Sequence, residues 1–378
     1  MKYNQPPMFT QAIGTALSGA TVLVTGGAGF VGSTLAVELA RAVPDARVLA
    51  LDSLRRRGSE LNLPKLKSAG VEFIHGDVRV ADDLAFEGRD LHLLIDCSAE
   101  PSVLAGYAGS PSDVVGSNLL GTLNCLELAR RRHADVVFLS TSRVYPIAAL
   151  NQISLDEQPT RFAISPSQVQ PGVSIAGISE AFQLNGVRSL YGATKLASEL
   201  LLQEYGAMYG LRFVINRLGV VTGPGQMGKE EQGVFALWIA RHYFGGELTY
   251  RGWGGAGKQV RDLVHVQDVW QLVHRQLTRW DQVNGRIYNV GGGTEVSLSL
   301  CETTRLCQDI VGRKIPLHSD PETHASDVAL YCTDYSLLTK DTGWRPAWGA
   351  SAILADMFEW LRREESQLAP IFTGRSSG

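Results

Sequence analysis

The sharpest chemical signal in the chain is a tyrosine and a lysine four residues apart, in Tyr191-Gly192-Ala193-Thr194-Lys195. This segment opens a helical pattern running to Tyr209, and residues four apart on a helix share a face. An ammonium near a phenol favours the phenolate, drawing its pKa down from about 10. The resulting general base can take a hydroxyl proton as hydride leaves the same carbon. The same spacing also arises on amphipathic helices from a snorkelling lysine, so the pair gains its meaning from what precedes it. Upstream, Ser140-Thr141-Ser142-Arg143-Val144-Tyr145 follows the apolar run Val136-Val137-Phe138-Leu139. Hydroxyls at such a strand end either face a reacting group or cap the turn.

About 160 residues before the tyrosine lies Thr21-Val22-Leu23-Val24-Thr25-Gly26-Gly27-Ala28-Gly29-Phe30-Val31-Gly32. A short β-branched run enters a glycine turn and then a helical pattern containing Leu35 and Leu39. Strand, glycine turn and helix N-terminus together make a site for a pyrophosphate. The next apolar run, Arg47-Val48-Leu49-Ala50-Leu51, ends in Asp52, where a carboxylate can accept both ribose hydroxyls and repel a 2′-phosphate. The expected cofactor is therefore NAD rather than NADP, although Arg55, Arg56 and Arg57 follow closely.

Strand and helix signals alternate onward: Val71 to Ile74 ending at Gly76-Asp77, Leu91 to Ile95 ending at Asp96, a helix over Asp113 to Arg132, then the Val136 run. Such alternation predicts an α/β fold with a doubly wound parallel (Rossmann) sheet and ligands at the strands' carboxyl ends. Asp77 there either accepts from an adenine amino group or caps the segment after it. Cys97-Ser98-Ala99-Glu100-Pro101 offers small residues past which a cofactor can approach. Asn118 falls inside the long helix, where Asn is a poor helix former, and is read as bonding an adjacent loop or as tolerated at the surface. The stretch 147–189, with three prolines and weak periodicity, reads as an insertion flanking the substrate pocket. The expected organisation is a loose arm over 1–20, a cofactor domain over 21–218, a smaller C-terminal α/β substrate lobe over 219–364 interleaved with it, and a frayed tail over 365–378.

The 378 residues are 44% hydrophobic, ample for a full core with a second lobe. A net charge of −3 argues against nucleic acid or an anionic membrane as partner. No apolar run approaches a transmembrane length. The N-terminus lacks a signal peptide's basic and apolar regions. The five cysteines lack a CxxC pair or metal spacing. They read as reduced thiols of a soluble cytoplasmic protein that binds no metal.

With these motifs placed, the chain resembles the extended short-chain dehydrogenase/reductase family, the NAD-dependent nucleotide-sugar epimerases and dehydratases. The likeness runs over about 20–363 and rests on GGAGFVG, GD at 76–77, NLLGT at 118–122, STSRVY, YGATK, RDLVHVQD at 261–268 and NVGGG at 289–293. It implies that Thr141 bonds the reacting hydroxyl, that Tyr191 is the base, and that Lys195 binds the nicotinamide ribose and tunes Tyr191. Gly26, Gly29, Phe30, Val31 and Gly32 would line the pyrophosphate. Asp52, Asp77 and Val78 would hold the adenosine, with Ser98, Ala99 and Asn118 beside the cofactor. Ser142, Arg143, Gln232, Arg261 and His324 would contact a nucleotide-diphosphate sugar, with Arg261 near its diphosphate unless it pairs internally with Asp262. A homodimer through the helices after Asp113 and around Tyr191 is implied as well.

Family members that dehydrate carry Thr-Asp-Glu where this chain has Thr141-Ser142-Arg143. With both carboxylates gone, oxidation and re-reduction, which is epimerisation, is the expected chemistry. The chain is most similar to the CDP-paratose/CDP-tyvelose 2-epimerases, through GKQVRDLVH at 257–265, Glu231-Gln232-Gly233 and Ser297 to Leu300. It departs from them at His324-Ala325-Ser326-Asp327-Val328-Ala329, where that group has two arginines. Inversion at C4, net oxidation with release of NADH, and a non-catalytic NAD sensor remain the alternatives.

Overall fold

A computed structural model describes residues 13, 16–85, 90–104, 110–228 and 233–373. The central sheet contains β1 (Thr21–Thr25), β2 (Arg47–Asp52), β3 (Glu72–His75), β4 (Leu93–Asp96), β5 (Asp135–Thr141), β6 (Phe213–Leu218) and β7 (Arg286–Val290). Their order is β7-β6-β5-β4-β1-β2-β3, and every pairing is parallel. The order reverses between β1 and β4, so the binding crevice opens past their carboxyl ends. Strands buried on both faces need apolar residues at consecutive positions rather than alternating ones. Val22, Leu23 and Val24 in β1 and Val136, Val137 and Phe138 in β5 meet that demand, each at most 1% exposed.

The helices that position the site are α1 (Phe30–Ala42), α2 (Gly121–Arg132), α3 (Leu190–Tyr209) and α4 (Val266–Leu277). The predicted helix over 113–132 forms in three pieces: an α-helical turn at Pro111–Val115, a π-helical stretch at Gly116–Leu120, and α2. Asn118 lies in the π stretch, fully buried. The extra residue per turn there turns its side chain towards the crevice, which agrees with the tendency of π-bulges to mark functional sites.

The smaller lobe is built on Val260–His265, parallel to Val220–Thr222 and Leu330–Tyr331 and antiparallel to Ser297–Ser299. It is interleaved with the larger one, because α4 packs on α1 and β7 joins the main sheet. Residues 147–189 form a short helix, Ile147–Asn151, and two antiparallel pairs, Leu155–Glu157 with Phe162–Ile164 and Val173–Ser174 with Gly177–Ile178. Ile164, Ile178 and Phe182 from this segment share a core with Val260, Leu330 and Tyr331.

Two expectations about the ends need correction. Ile13 is fully buried within the main core, and the Ala20 carbonyl accepts from Arg47 N–H at 2.8 Å, so the described residues of the arm, Ile13 among them, are anchored to the domain. Residues 365–372 are helical (Glu365–Phe372), and Leu368 and Phe372 are buried against the small lobe. Burial of those two side chains offsets the end-fraying that the polar terminal sequence suggested. Replacing Leu368, 1% exposed, by Ala is expected to cost about 2–5 kcal/mol, measured as a fall in denaturation midpoint. No loss would mean that the last helix is undocked in solution.

Candidate active site

The glycine turn joins β1 to α1. Gly26 has φ +61°, and a Cβ there would lie 2.9 Å from the Cys97 carbonyl oxygen at the end of β4. A Cβ on Gly32 would fall 2.2 Å from the Gly26 carbonyl oxygen. Both contacts are with backbone, which cannot swing aside. Gly29 is the N-cap of α1, no side chain caps it, and no acidic residue lies in the first turn that Phe30, Val31 and Gly32 begin. The N-terminal amides and the helix dipole are thus left for an anion. Gly32→Ala is expected to keep the fold but weaken NAD binding by about tenfold to a hundredfold, matching an overpacking strain of about 1–3 kcal/mol. Titration of the apo-protein with NAD would read this; unchanged affinity would place the pyrophosphate elsewhere.

Asp52 ends β2 beside this turn and accepts from Ala28 N–H at 3.1 Å and Leu54 N–H at 2.8 Å. Burial raises its pKa, and these backbone donors oppose the rise. The arginines after it are engaged elsewhere: Arg55 with Asp113, Arg56 with the Met227 carbonyl, Arg57 with the Pro370 carbonyl. Asp77 accepts from Arg79 N–H at 3.0 Å and pairs with the Arg79 guanidinium at 2.5 Å, holding its pKa down. Asp77 does not cap the following turn Ala81–Leu84, whose N-cap is Val80 without a side-chain bond, and Arg79 competes for its carboxylate. Val78 is buried, and its carbonyl accepts from Asn124. Ser98 N–H donates to Asp96, and Ala99 follows at the mouth of the crevice. Asn118 Oδ1 accepts from Glu100 N–H at 2.7 Å, and Nδ2 donates to the Glu100 carbonyl and to Thr194 Oγ1, each at 3.2 Å. It therefore clamps the loop after β4 to α3.

Ser189 caps α3 by accepting from Gly192 N–H at 3.2 Å. Tyr191 is 9% exposed and Lys195 1%. Thr141 Oγ1 accepts from Arg143 N–H at 3.2 Å, capping the turn Ser142–Val144, and the same hydroxyl faces the Tyr191 phenol.

The expected tuning of Tyr191 is not what the structure gives. Burial raises the phenol's pKa, and the groups opposing this are Thr141 and Arg143, while Glu100 adds to the rise. Lys195 Nζ lies 3.9 Å from the centroid of the Phe138 ring, with Asp96 and Glu199 as its nearby carboxylates. Its pKa is lowered by burial. The reason is geometric: a shared helical face brings the two side chains to one side, but the lysine's long stem carries its ammonium down towards β4 and β5. Its ammonium makes no hydrogen bond to any described residue. That buried cation and the glycine cradle both fit NAD.

The remaining predicted substrate contacts divide. Ser142 and Arg143 are half-buried in the turn after β5. Arg261 is paired internally, but with Asp327 at 2.8 Å rather than with Asp262. Asp262 is fully buried, accepts from Gly293 and Thr333 N–H at 3.1 Å each, and has its pKa pushed up to about 6 by burial. His324 is exposed, with Nδ1 engaged by Ser326 at 2.7 Å. The residue of that loop that reaches Arg261 is Asp327, which sequence reasoning passed over. Gln232 lies outside the described residues.

Also missed was a buried network behind the site. Arg217 bonds Glu199 at 2.7 Å, Ser140 Oγ donates to Glu199 at 2.5 Å, and Arg217 donates to Tyr145 Oη at 3.1 Å. Tyr145 in turn donates to Asn289 Oδ1 at 2.8 Å. The only sequence signal was charge placed within apolar stretches.

Comparison with known proteins identifies the family. The family described as "NAD dependent epimerase/dehydratase family" matches residues 22–291, and the chain belongs to that family. It is 29% identical over 355 residues to a CDP-paratose 2-epimerase of Salmonella typhi, covering 90% of this chain and 98% of that protein. It is also 29% identical to a dTDP-glucose 4,6-dehydratase of Mycolicibacterium smegmatis, over 93% of this chain and 96% of that one. The solved structure of Thermus thermophilus UDP-glucose 4-epimerase in complex with NAD superposes with a TM-score of 0.71 at 29% identity, covering 90% of this chain and 99% of the other. These are relatives of an NAD-dependent nucleotide-sugar epimerase/dehydratase family with a Rossmann sheet, as the fold and the glycine turn require. Among the described residues no helix is long and apolar enough to cross a membrane.

Proposed function

We propose that the protein is a nucleotide-sugar epimerase that inverts a carbinol by transient oxidation to a keto-sugar and re-reduction on the opposite face. The observation that carries this reading is the turn after β5. There a hydroxyl (Thr141) and a cation (Arg143) face Tyr191, and no carboxylate stands in that turn to protonate a leaving hydroxyl. Bound NAD supplies the hydride acceptor and donor. Tyr191 takes the carbinol proton while Thr141 holds the oxygen, and the same phenol returns the proton on reduction. Lys195 anchors the ribose. Gly26, Gly29 and Gly32 with the α1 N-terminus hold the pyrophosphate, and Asp52 holds the adenosine ribose.

One observation favours a second reading. Glu100 is close enough to raise the Tyr191 pKa, and a carboxyl group there can serve elimination of water instead. Incubation with CDP- and UDP-sugars in D₂O, followed by mass and NMR analysis, separates the two. An isomer of unchanged mass without deuterium at the inverted carbon supports hydride transfer and return. A product lighter by one water makes the chain a dehydratase, and accumulating NADH makes it a net oxidoreductase.

The assembly we infer is a homodimer. The π stretch before α2 packs on α3, and together they expose Leu120, Leu200 and Met208, each more than half accessible. A cavity of about 430 Å³ at Leu200 is lined by Gly186, Val187, Arg188, Ala193, Leu196, Ala197 and Leu200. Exposed apolar side chains grouped on packed helices suit an interaction surface. A second copy would complete the helical layer, and sedimentation at monomer mass would refute it.

A further inference from the structure

We propose that Arg143 binds an anionic group carried on the sugar carbon next to the carbinol that Tyr191 deprotonates, and thereby selects which ring carbon is inverted. This rests on the epimerase reading above and goes beyond it to the class of substrate and the position of the reaction.

Arg143 is held at both of its backbone polar groups by the catalytic elements. Its N–H donates to Thr141 Oγ1 at 3.2 Å. Its carbonyl abuts Gly192 in the first turn of α3, where a Cβ would come within 2.0 Å of that oxygen. The root of the side chain is therefore set by the residues that flank Tyr191. Its guanidinium has five donors but no hydrogen bond, ion pair or ring contact to any described residue.

The charges around it leave it uncompensated. Arg261 repels it, and Asp327 and the Tyr191 phenol attract it. Asp327 Oδ1, however, is already bonded to Arg261 at 2.8 Å and to Val328 N–H at 2.9 Å. Two cations thus share one carboxylate. Burial and the neighbouring Arg261 push the Arg143 pKa down to about 10. Arg217, a buried arginine of this region, shows the contrast, with Glu199 and Tyr145 accepting from three of its nitrogens. A half-buried cation gains from a partner, and a bidentate oxyanion is the partner that suits a guanidinium.

The reacting oxygen must lie against Tyr191 and Thr141, so an anion reached by Arg143 lies close to that oxygen. An oxyanion on a vicinal carbon lies nearest that oxygen, and we place the anion there. Two sources have this chemistry. The phosphate on the anomeric carbon is vicinal to C2, and a ring carboxylate on C5 is vicinal to C4. The source therefore decides the carbon.

The test uses the NAD-loaded protein and two pairs of probes, UDP-glucose with UDP-glucuronic acid and CDP-glucose with CDP-glucuronic acid. Binding of each is measured for the wild type, Arg143→Gln and Arg143→Lys, and the inverted carbon is found by NMR. Arg143→Gln is expected to weaken binding about tenfold to a hundredfold, the size of a lost charge-assisted hydrogen bond. Arg143→Lys should recover part of it, and NAD affinity, which reports the fold, should not move. A loss shared by glucose and glucuronic acid forms assigns the anomeric phosphate and predicts inversion at C2. A loss confined to the glucuronic acid forms assigns the carboxylate and predicts inversion at C4. Unchanged binding of every probe by Arg143→Gln, or inversion of a carbon not next to the assigned anion, overturns the proposal. A dehydrated or oxidised product would instead overturn the epimerase reading, while the binding comparison still judges Arg143.

Discussion

Replacing Tyr191 by Phe is expected to lower turnover by about 10²–10⁴-fold, the usual contribution of a positioned general base, with little change in fold or in bound NAD. The substitution deletes one oxygen from a side chain that is 9% exposed and leaves the packing of the ring intact. The effect should fall on kcat, because the phenol acts on the proton in transit rather than on the nucleotide. The pH profile carries a further expectation. Burial raises the phenol's pKa above its ordinary value, and Thr141 and Arg143 only partly offset this. The active form is the phenolate, so in the wild type kcat/KM should climb as pH rises from neutrality towards that raised pKa. Arg143→Gln, which removes a cation near the phenol, should move the ascending limb to higher pH. Steady-state rates over a pH series for wild type and the two variants test this. A Tyr191→Phe protein with more than a tenth of wild-type activity would remove Tyr191 from the chemistry.

The second large effect concerns stability. Glu199→Ala is expected to destabilise the fold by about 3–5 kcal/mol, because it leaves the Arg217 charge buried and unpaired. Glu199 is fully buried, and the side chain of Arg217 is 4% exposed. The pair ties the middle of α3 to β6, and through Ser140 and Tyr145 to β5 and the turn after it. Glu199 sits one helical turn beyond Lys195, so loosening it should also let the catalytic face of α3 drift. Replacing both partners, as Glu199→Leu with Arg217→Met, should cost less than Glu199→Ala alone, since no charge is then stranded. Denaturant titrations of the three proteins decide it. A double variant less stable than the single one would mean that the pair contributes net attraction rather than mutual neutralisation.

Much of this architecture follows from local pattern. The apolar runs at Thr21, Arg47, Leu91 and Val136 became β1, β2, β4 and β5 because consecutive apolar residues suit strands covered on both faces. The glycine turn was legible because backbone crowding at Gly26 and Gly32 strains any residue with a side chain. Tyr191 and Lys195 were legible because helical spacing alone places them on one face.

What the sequence by itself determined is the class of the protein: the parallel sheet, the pyrophosphate turn, the acid at the end of β2, and the tyrosine–lysine helix with Thr141 upstream. Each of these depends on residues within a few positions of one another, where chain geometry leaves little freedom. The tertiary structure alone decided which charges meet. It set Arg143 rather than Lys195 by the phenol, gave Arg261 to Asp327 rather than to its neighbour Asp262, engaged Asp77 with Arg79, and paired Glu199 with Arg217. It also docked the last helix. Those outcomes depend on side-chain reach and on desolvation between elements far apart in the chain, and neither quantity is written in local spacing.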